Sequence, residues 1–308
     1  MINRRSFIKI AAPFGLGLPA IARGQANVDR RKFNDQDLPA ARELLLNLIN
    51  ADRLKADLSQ LKLDDLAHKV ATEHAQDMAR GRFLSHWGSD GRKPYHRFAF
   101  AGGTDAVQEN ASAASNIQSL TPAGIFEDLQ DMHASMMAEV PPNDGHRKTI
   151  LYPFHTHVGF GLGFNGYHLR LDELFLARYI QLDPVPKEAR PNSTVWLSGR
   201  MLNPTHFLNE VDTFFEPFPV PPDIDWLRIP RSVSFPEGYT PTRPKAPSGT
   251  RYSDGSLGDF DWERGGKFRA PVTLKDGPGI YTIVFFVRRV PSDKGFPGAQ
   301  VCIESRDS

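Results

Sequence analysis

The sequence predicts an α+β protein, a three-layer α/β/α sandwich followed by an all-β sandwich domain. Three observations carry this expectation. Residues 37–183 alternate helical apolar patterns with a short strand pair. The run Pro184-Val185-Pro186-Lys187-Glu188-Ala189-Arg190-Pro191-Asn192-Ser193 reads as a linker by its proline content. Beyond it, over 194–308, strand-like runs recur without a helical period.

In the first part, Leu38 to Asn50 is apolar at helical spacing. Asp37 is placed to cap that helix and Pro39 suits its first turn. A second helix is expected over Asp65 to Arg80, with Leu66, Val70, His74 and Met78 on one stripe, and a third over Ala123 to Met137. Thr156 to Phe164 and Glu173 to Ile180 have strand length and lie either side of the turn-forming Asn165-Gly166. Helices flanking such a sheet give three layers. In the second part the expected strands are Thr194–Leu202, Val211–Phe215, Lys267–Leu274, Ile280–Val290 and Ala299–Glu304. The Pro-rich run from Glu216 to Pro222 fits a connection or an edge, because proline cannot donate to a central ladder. Trp196, Trp226 and Trp262 read as core aromatics, the other reading being a surface that grips glycans or a partner.

The N-terminus carries an address. Asn3-Arg4-Arg5-Ser6-Phe7-Ile8-Lys9 fits a twin-arginine export motif, and a short apolar stretch, Ile10 to Ala22, leads to the small residues Gly24-Gln25-Ala26. The stretch falls short of the ~20 residues a membrane helix needs. Residues 1–26 are therefore expected to be a signal peptide, leaving no membrane span in the mature chain and a periplasmic or extracellular destination. Cleavage would remove four basic residues and no acid, taking the formal charge from +1 to −3. That balance, with no long basic run, gives no reason to expect a nucleic-acid partner. Cys302 is the only cysteine, so an intramolecular disulfide is impossible, and its apolar setting reads as a buried strand thiol.

Two imidazoles and two carboxylates on separate stretches carry the chemistry: His86 in Phe83-Leu84-Ser85-His86, Glu109 in Gln108-Glu109-Asn110, Glu139 in Met136-Met137-Ala138-Glu139, and His146 in Asp144-Gly145-His146-Arg147. Neutral imidazole is a good zinc donor, and a carboxylate beside it can ligate, orient the ring or hold a water. Ser85 next to His86 does not read as a nucleophile–base pair, because neighbouring side chains rarely face each other. His155 and His157 alternate at a strand start and offer either an extra ligand near the cleft or a solvated face. His74 and His133 read as packed or surface residues on helices, and Asp144 is placed to cap a short helix beginning near His146. No dinucleotide fingerprint is present, since Gly159, Gly161 and Gly163 alternate within a strand.

These residues, in this order, resemble the CAP superfamily (SCP domain), which includes the cysteine-rich secretory proteins, antigen 5 and the plant pathogenesis-related 1 proteins. The resemblance covers roughly Ala40–Asp183. The family's Phe-Ser-His element appears with an inserted leucine, its Gly-Glu-Asn element with Gln108 for glycine, and its Trp-x-x-Glu element with Met136 for tryptophan. Gly145-His146 and Val158-Gly159-Phe160-Gly161 complete the series. The resemblance implies a bacterial CAP protein in which His86 and His146 face a central cleft as metal ligands for a divalent cation such as zinc, with Glu109 and Glu139 close by. It implies a binding module whose ligand is small and apolar, lipid-like or a peptide, with the C-terminal domain directed at an envelope or extracellular component. Two rival readings use the same residues. In a metal-dependent hydrolase, Glu109 and Glu139 supply the general acid/base. In a structural envelope protein, the four side chains form a hydrogen-bond network that ties loops together.

Overall fold

The computed structural model describes residues 31–115, 117–262, 266–290 and 294–307; the expected export signal at 1–26 lies outside them. The order opens with α1 (Leu38–Lys55), β1 (Lys62–Leu63), α2 (Asp65–Gly81), α3 (Pro94–Phe100), β2 (Ala106–Ser115), α4 (Pro122–Met137), α5 (Gly145–Ile150), β3 (His157–Asn165) and β4 (His168–Ala177). Strands β1-β3-β4-β2 form a four-stranded sheet in that order, with β1 parallel to β3 and the other pairs antiparallel. The expected strand pair is thus the centre of a larger sheet. Its two edge members, β1 and β2, were not expected, and β2 is the strand that carries Glu109.

Helix α2 covers one face of the sheet and α1 with α4 the other, which gives the three layers. Closeness on the α2 side comes from a glycine–alanine seam. A Cβ on Gly159, Gly161 or Gly163 would meet the α2 backbone at Ala67, Ala71 and Ala75 at 2.1 to 2.4 Å. Alternate strand positions and every fourth helix position recur at nearly the same rise, so the small residues stay in step. On the opposite face Leu45, Ile49, Ile125, Leu129, Phe160, Leu171 and Phe175 make a separate apolar core.

Two of the expected caps form differently. Asp37 makes no side-chain cap to α1. Its carboxylate instead accepts from the Arg31 guanidinium, at 2.5 and 2.6 Å, and from the Asn34 amide at 2.9 Å. Asp144 makes no side-chain cap to α5 and pairs with Lys148 Nζ at 2.8 Å.

The chain continues through β5 (Ile180–Leu182), β6 (Glu188–Ala189), β7 (Thr194–Met201), β8 (Phe207–Glu216), the single turn α6 (Ile224–Leu227), β9 (Thr240–Thr242), β10 (Lys267–Thr273), β11 (Gly279–Arg288) and β12 (Phe296–Ser305). These form two sheets, β10-β7-β5 and β6-β12-β11-β8-β9. Leu197, Phe268 and Val272 from the first meet Val211, Ile283, Phe285 and Val301 from the second in one core. Trp196 does not join it: the ring is 49% exposed, with the Arg269 guanidinium stacked over it at 4.3 Å.

The β-rich part is fastened to the first part along α3 and β12. Gln300 N–H donates to the Thr104 carbonyl at 2.9 Å, and Phe154 stacks flat on Phe296 at 3.8 Å. The Glu216 carboxylate accepts from Lys93 Nζ and, at 2.9 Å, from Tyr95 Oη. Cys302 is buried at this junction, and burial pushes its thiol up to about 12, so it is neutral. Among the described residues no helix is long and apolar enough to cross a membrane.

Candidate functional site

A cavity of about 720 Å³ lies where the sheet of the first part meets the second, and all four of His86, Glu109, Glu139 and His146 line it. Each histidine is backed by one glutamate. His86, on the loop after α2, places Nδ1 2.9 Å from Glu109 Oε1 on β2. His146, at the start of α5, places Nδ1 2.5 Å from Glu139 Oε1, just past the end of α4. An ionised carboxylate only accepts, so the neutral form of each ring carries its proton on Nδ1 and leaves the Nε2 lone pair free. Neither Nε2 has a protein hydrogen-bond partner among the described residues. The rings are partly exposed, 20% for His86 and 35% for His146.

The two glutamates are held by different means. Glu109 is fully buried in its side chain, and burial alone would push its carboxyl up. The Arg97 guanidinium, together with His74 and His86, more than reverses that and holds it low. Arg97 on α3 also donates through Nη1 to the carbonyls of His86 (2.8 Å) and Arg92 (2.9 Å). One half-buried cation thus neutralises Glu109 and fixes the loop that presents His86. On the far side of that loop, His74 Nε2–H donates to the Ser85 carbonyl at 2.8 Å; burial, then Arg97, lowers this imidazole to about 4, so it is neutral. Glu139 takes the role Asp144 was expected to fill. Its Oε2 accepts the His146 and Arg147 amides at 3.0 and 3.4 Å, so it caps α5 while orienting the His146 ring.

Behind the cavity wall lie acids that sequence reasoning did not single out. The ligand atoms of His74, Glu109 and Asp172 lie within 4.8 Å of one another, all three residues are buried, and this group could hold a metal ion. Both Asp172 carboxyl oxygens and His74 Nδ1 lack hydrogen-bond partners. Burial and the neighbouring Glu109 charge push the Asp172 carboxyl well above the usual range. On the opposite face of β4, Glu173 is also buried and raised to about 7, with Asn110 Nδ2 donating to it at 3.2 Å. Their signal was hidden because they follow His168 and Arg170 in the polar first half of β4, where charges read as solvated positions.

The remaining candidates divide. His155 lines the cavity, but its Nδ1 is bound to the Thr149 carbonyl at 3.1 Å and its ring stacks on Phe175 at 5.1 Å. Burial lowers it to about 3. His157 is turned to Thr156 Oγ1 and the Arg178 guanidinium, away from the cavity lining. Ser85 donates no proton to His86; its Oγ accepts from the Trp87 amide at 3.1 Å. The second part supplies a wall that no motif announced, the run Pro230–Phe235, together with Pro297 and Gln300.

The model of the cysteine-rich secretory protein family, CAP, matches residues 46–178, the stretch that holds all four cavity-lining His and Glu residues. Among curated proteins none matches the sequence. Among solved structures the chain is similar to an outer surface protein of Borrelia burgdorferi, with 18% identity over 48% of this chain and 98% of that one and a TM-score of 0.38. It is also similar to an extracellular SCP-domain protein of Bacillus anthracis, with 20% identity over 46% and 41% and a TM-score of 0.33. A third is the CAP domain of enterococcal PrgA, with 17% identity over 48% and 65% and a TM-score of 0.36. The matched region is less than half the length of the anthrax protein.

Proposed function

We propose that this chain, whose residues 46–178 match the CAP family, is an exported binding protein with a cleft that holds a divalent cation and receives a small apolar, lipid-like or peptide ligand. One observation carries the reading. Two histidines on the wall of one cavity each donate Nδ1–H to a glutamate and keep a free Nε2. A carboxylate behind an imidazole fixes the tautomer and raises the basicity of the outer nitrogen, the arrangement seen around protein-bound zinc. His86 and His146 would hold the cation through those nitrogens, with ligand or water completing the shell. The twin-arginine motif supports export to the periplasm or beyond, and the β-rich part is suited to engage an envelope component.

The cation would supply Lewis acidity, which keeps a metal-dependent hydrolase as the second reading. Glu139 suits the general base there better than Glu109. It is 22% exposed, whereas Glu109 is fully buried and paired with Arg97. Calorimetric titration of the metal-free full chain with zinc is expected to show binding that His86→Ala/His146→Ala loses, with an unchanged thermal transition. Equal binding by the double variant sinks the cation site. Peptide or ester hydrolysis that a chelator abolishes would move the reading to a hydrolase.

A further inference from the structure

From Pro230 to Pro236 the chain runs without turn or bend. Alternate residues turn inward. Phe235 packs between Tyr95 and Phe214, with ring centroids 4.9 and 4.8 Å away, and Val233 joins the cluster of Tyr95, Ile280 and Cys302. Ser232 and Ser234 are exposed. The segment is therefore a fixed, strand-like rail of six cavity-lining residues, about 20 Å long at the usual strand rise. It belongs to no sheet. Among the described residues, the N–H groups of Arg231 to Phe235 have no protein acceptor, and of the carbonyls only Ser234 is engaged, by Tyr95 Oη at 3.4 Å. A rail half-buried on alternate residues, with open backbone groups, is a template for a further strand.

The start of the rail is charged. Arg231 lies over the Trp226 ring at 4.0 Å and donates through Nη1 to the carbonyls of Trp226 and Ile229. Trp226 in turn packs edge-on against Trp87, beside the His86 loop. The guanidinium is thus pinned on one side, and no carboxylate pairs with it among the described residues. Its Nε and Nη2 are left to meet an anion, and a planar fork suits a carboxylate.

We infer that the cleft takes an extended peptide bearing a carboxylate. Its backbone pairs with the rail Pro230–Phe235, its carboxylate sits on Arg231, and its other face lies toward the His86 and His146 wall. This deepens the binding reading above and rests on it for the cleft, but not for the cation. A fatty acid would satisfy Arg231 and leave the backbone groups of the rail unused, so the rail favours the peptide.

The test uses the full chain and an array of random heptapeptides, each made as free acid and as C-terminal amide. Free acids are expected to bind at least tenfold more tightly than their amides, and Arg231→Ala to abolish that difference. The tightest binder, remade with N-methyl groups on alternate amides, is expected to lose at least tenfold in one register and little in the other. That arm needs no protein variant, so it stands even if Arg231→Ala misfolds. Zinc binding without any peptide binding overturns the peptide inference and leaves the cation cleft intact. Peptide binding in the expected pattern without zinc binding does the reverse. Decanoate competing for the site with no N-methyl effect on the peptide overturns the rail.

Discussion

Glu173 is a carboxyl with no exposure whose one hydrogen-bond partner among the described residues is Asn110, and burial raises it to about 7 from an ordinary value of 4.5. A raised acid binds its proton more tightly folded than unfolded. Stability from this group is therefore full below pH 4.5 and falls as pH rises through 7, by at most about 3 kcal/mol. Glu173→Gln keeps the acceptor for Asn110 and removes the titration. Its thermal midpoint is expected to exceed that of the parent at pH 8 and to match it at pH 4.5. At this scale the four residues that the order of motifs singled out, His86, Glu109, Glu139 and His146, all line one cavity. Arg97 and Asp172 were not legible. One sits on a seven-residue helix with no clear period, the other among the mixed polar and apolar residues that open β4, and only the docking of α3 and the pairing of β2 with β4 bring them to Glu109. Asp144 shows the limit of local rules: a capping residue type in a capping position lost the amides to Glu139, seven residues upstream of His146.

Among elements, the contact of α2 with β3 is the tightest and the least tolerant. Gly161→Ala would put a methyl 2.1 Å from the backbone at Ala71, so helix and sheet must separate. Overpacking of this kind costs about 3 kcal/mol or more when backbone has to move. Urea denaturation should show that loss, and a variant of unchanged midpoint would mean the seam is looser than drawn. The sequence announced helices and most strands through their period, and the expected strands of the second part lie within one to four residues of those observed at either end. It did not announce β2. Ala-Val-Gln-Glu-Asn-Ala-Ser-Ala-Ala-Ser has almost no β-branched or aromatic content, and it is a strand because all ten residues pair with β4. Pro230–Phe235 was hidden for the opposite reason, since the alternation of Ser232-Val233-Ser234-Phe235 between prolines, with no partner strand, is too short to separate it from a connection.

At the scale of the whole molecule, the two parts share few but specific fastenings. Glu216 joins Lys93, Tyr95 and His96, with His96 Nε2 at 3.3 Å, and those contacts hold its carboxyl down at about 2 although burial opposes them. Glu216→Ala leaves Lys93 without its carboxylate at a half-buried seam and the Tyr95 hydroxyl with only the Ser234 carbonyl at 3.4 Å. Calorimetry is expected to show the single transition of the parent broaden or split as the parts lose their coupling, and a sharp, unshifted transition would assign cohesion to the aromatic contacts instead.

The cavity draws one wall from the sheet and its loops and the other from the β-rich part, on the same side of the molecule as Glu216. Any occupant that touches both walls is then a thermodynamic clamp, strengthening the union of the parts as its concentration rises above its dissociation constant. Reciprocity follows: a load that pulls the parts asunder must weaken the grip on that occupant by the same factor. Tension between the two parts would then be enough to release such an occupant.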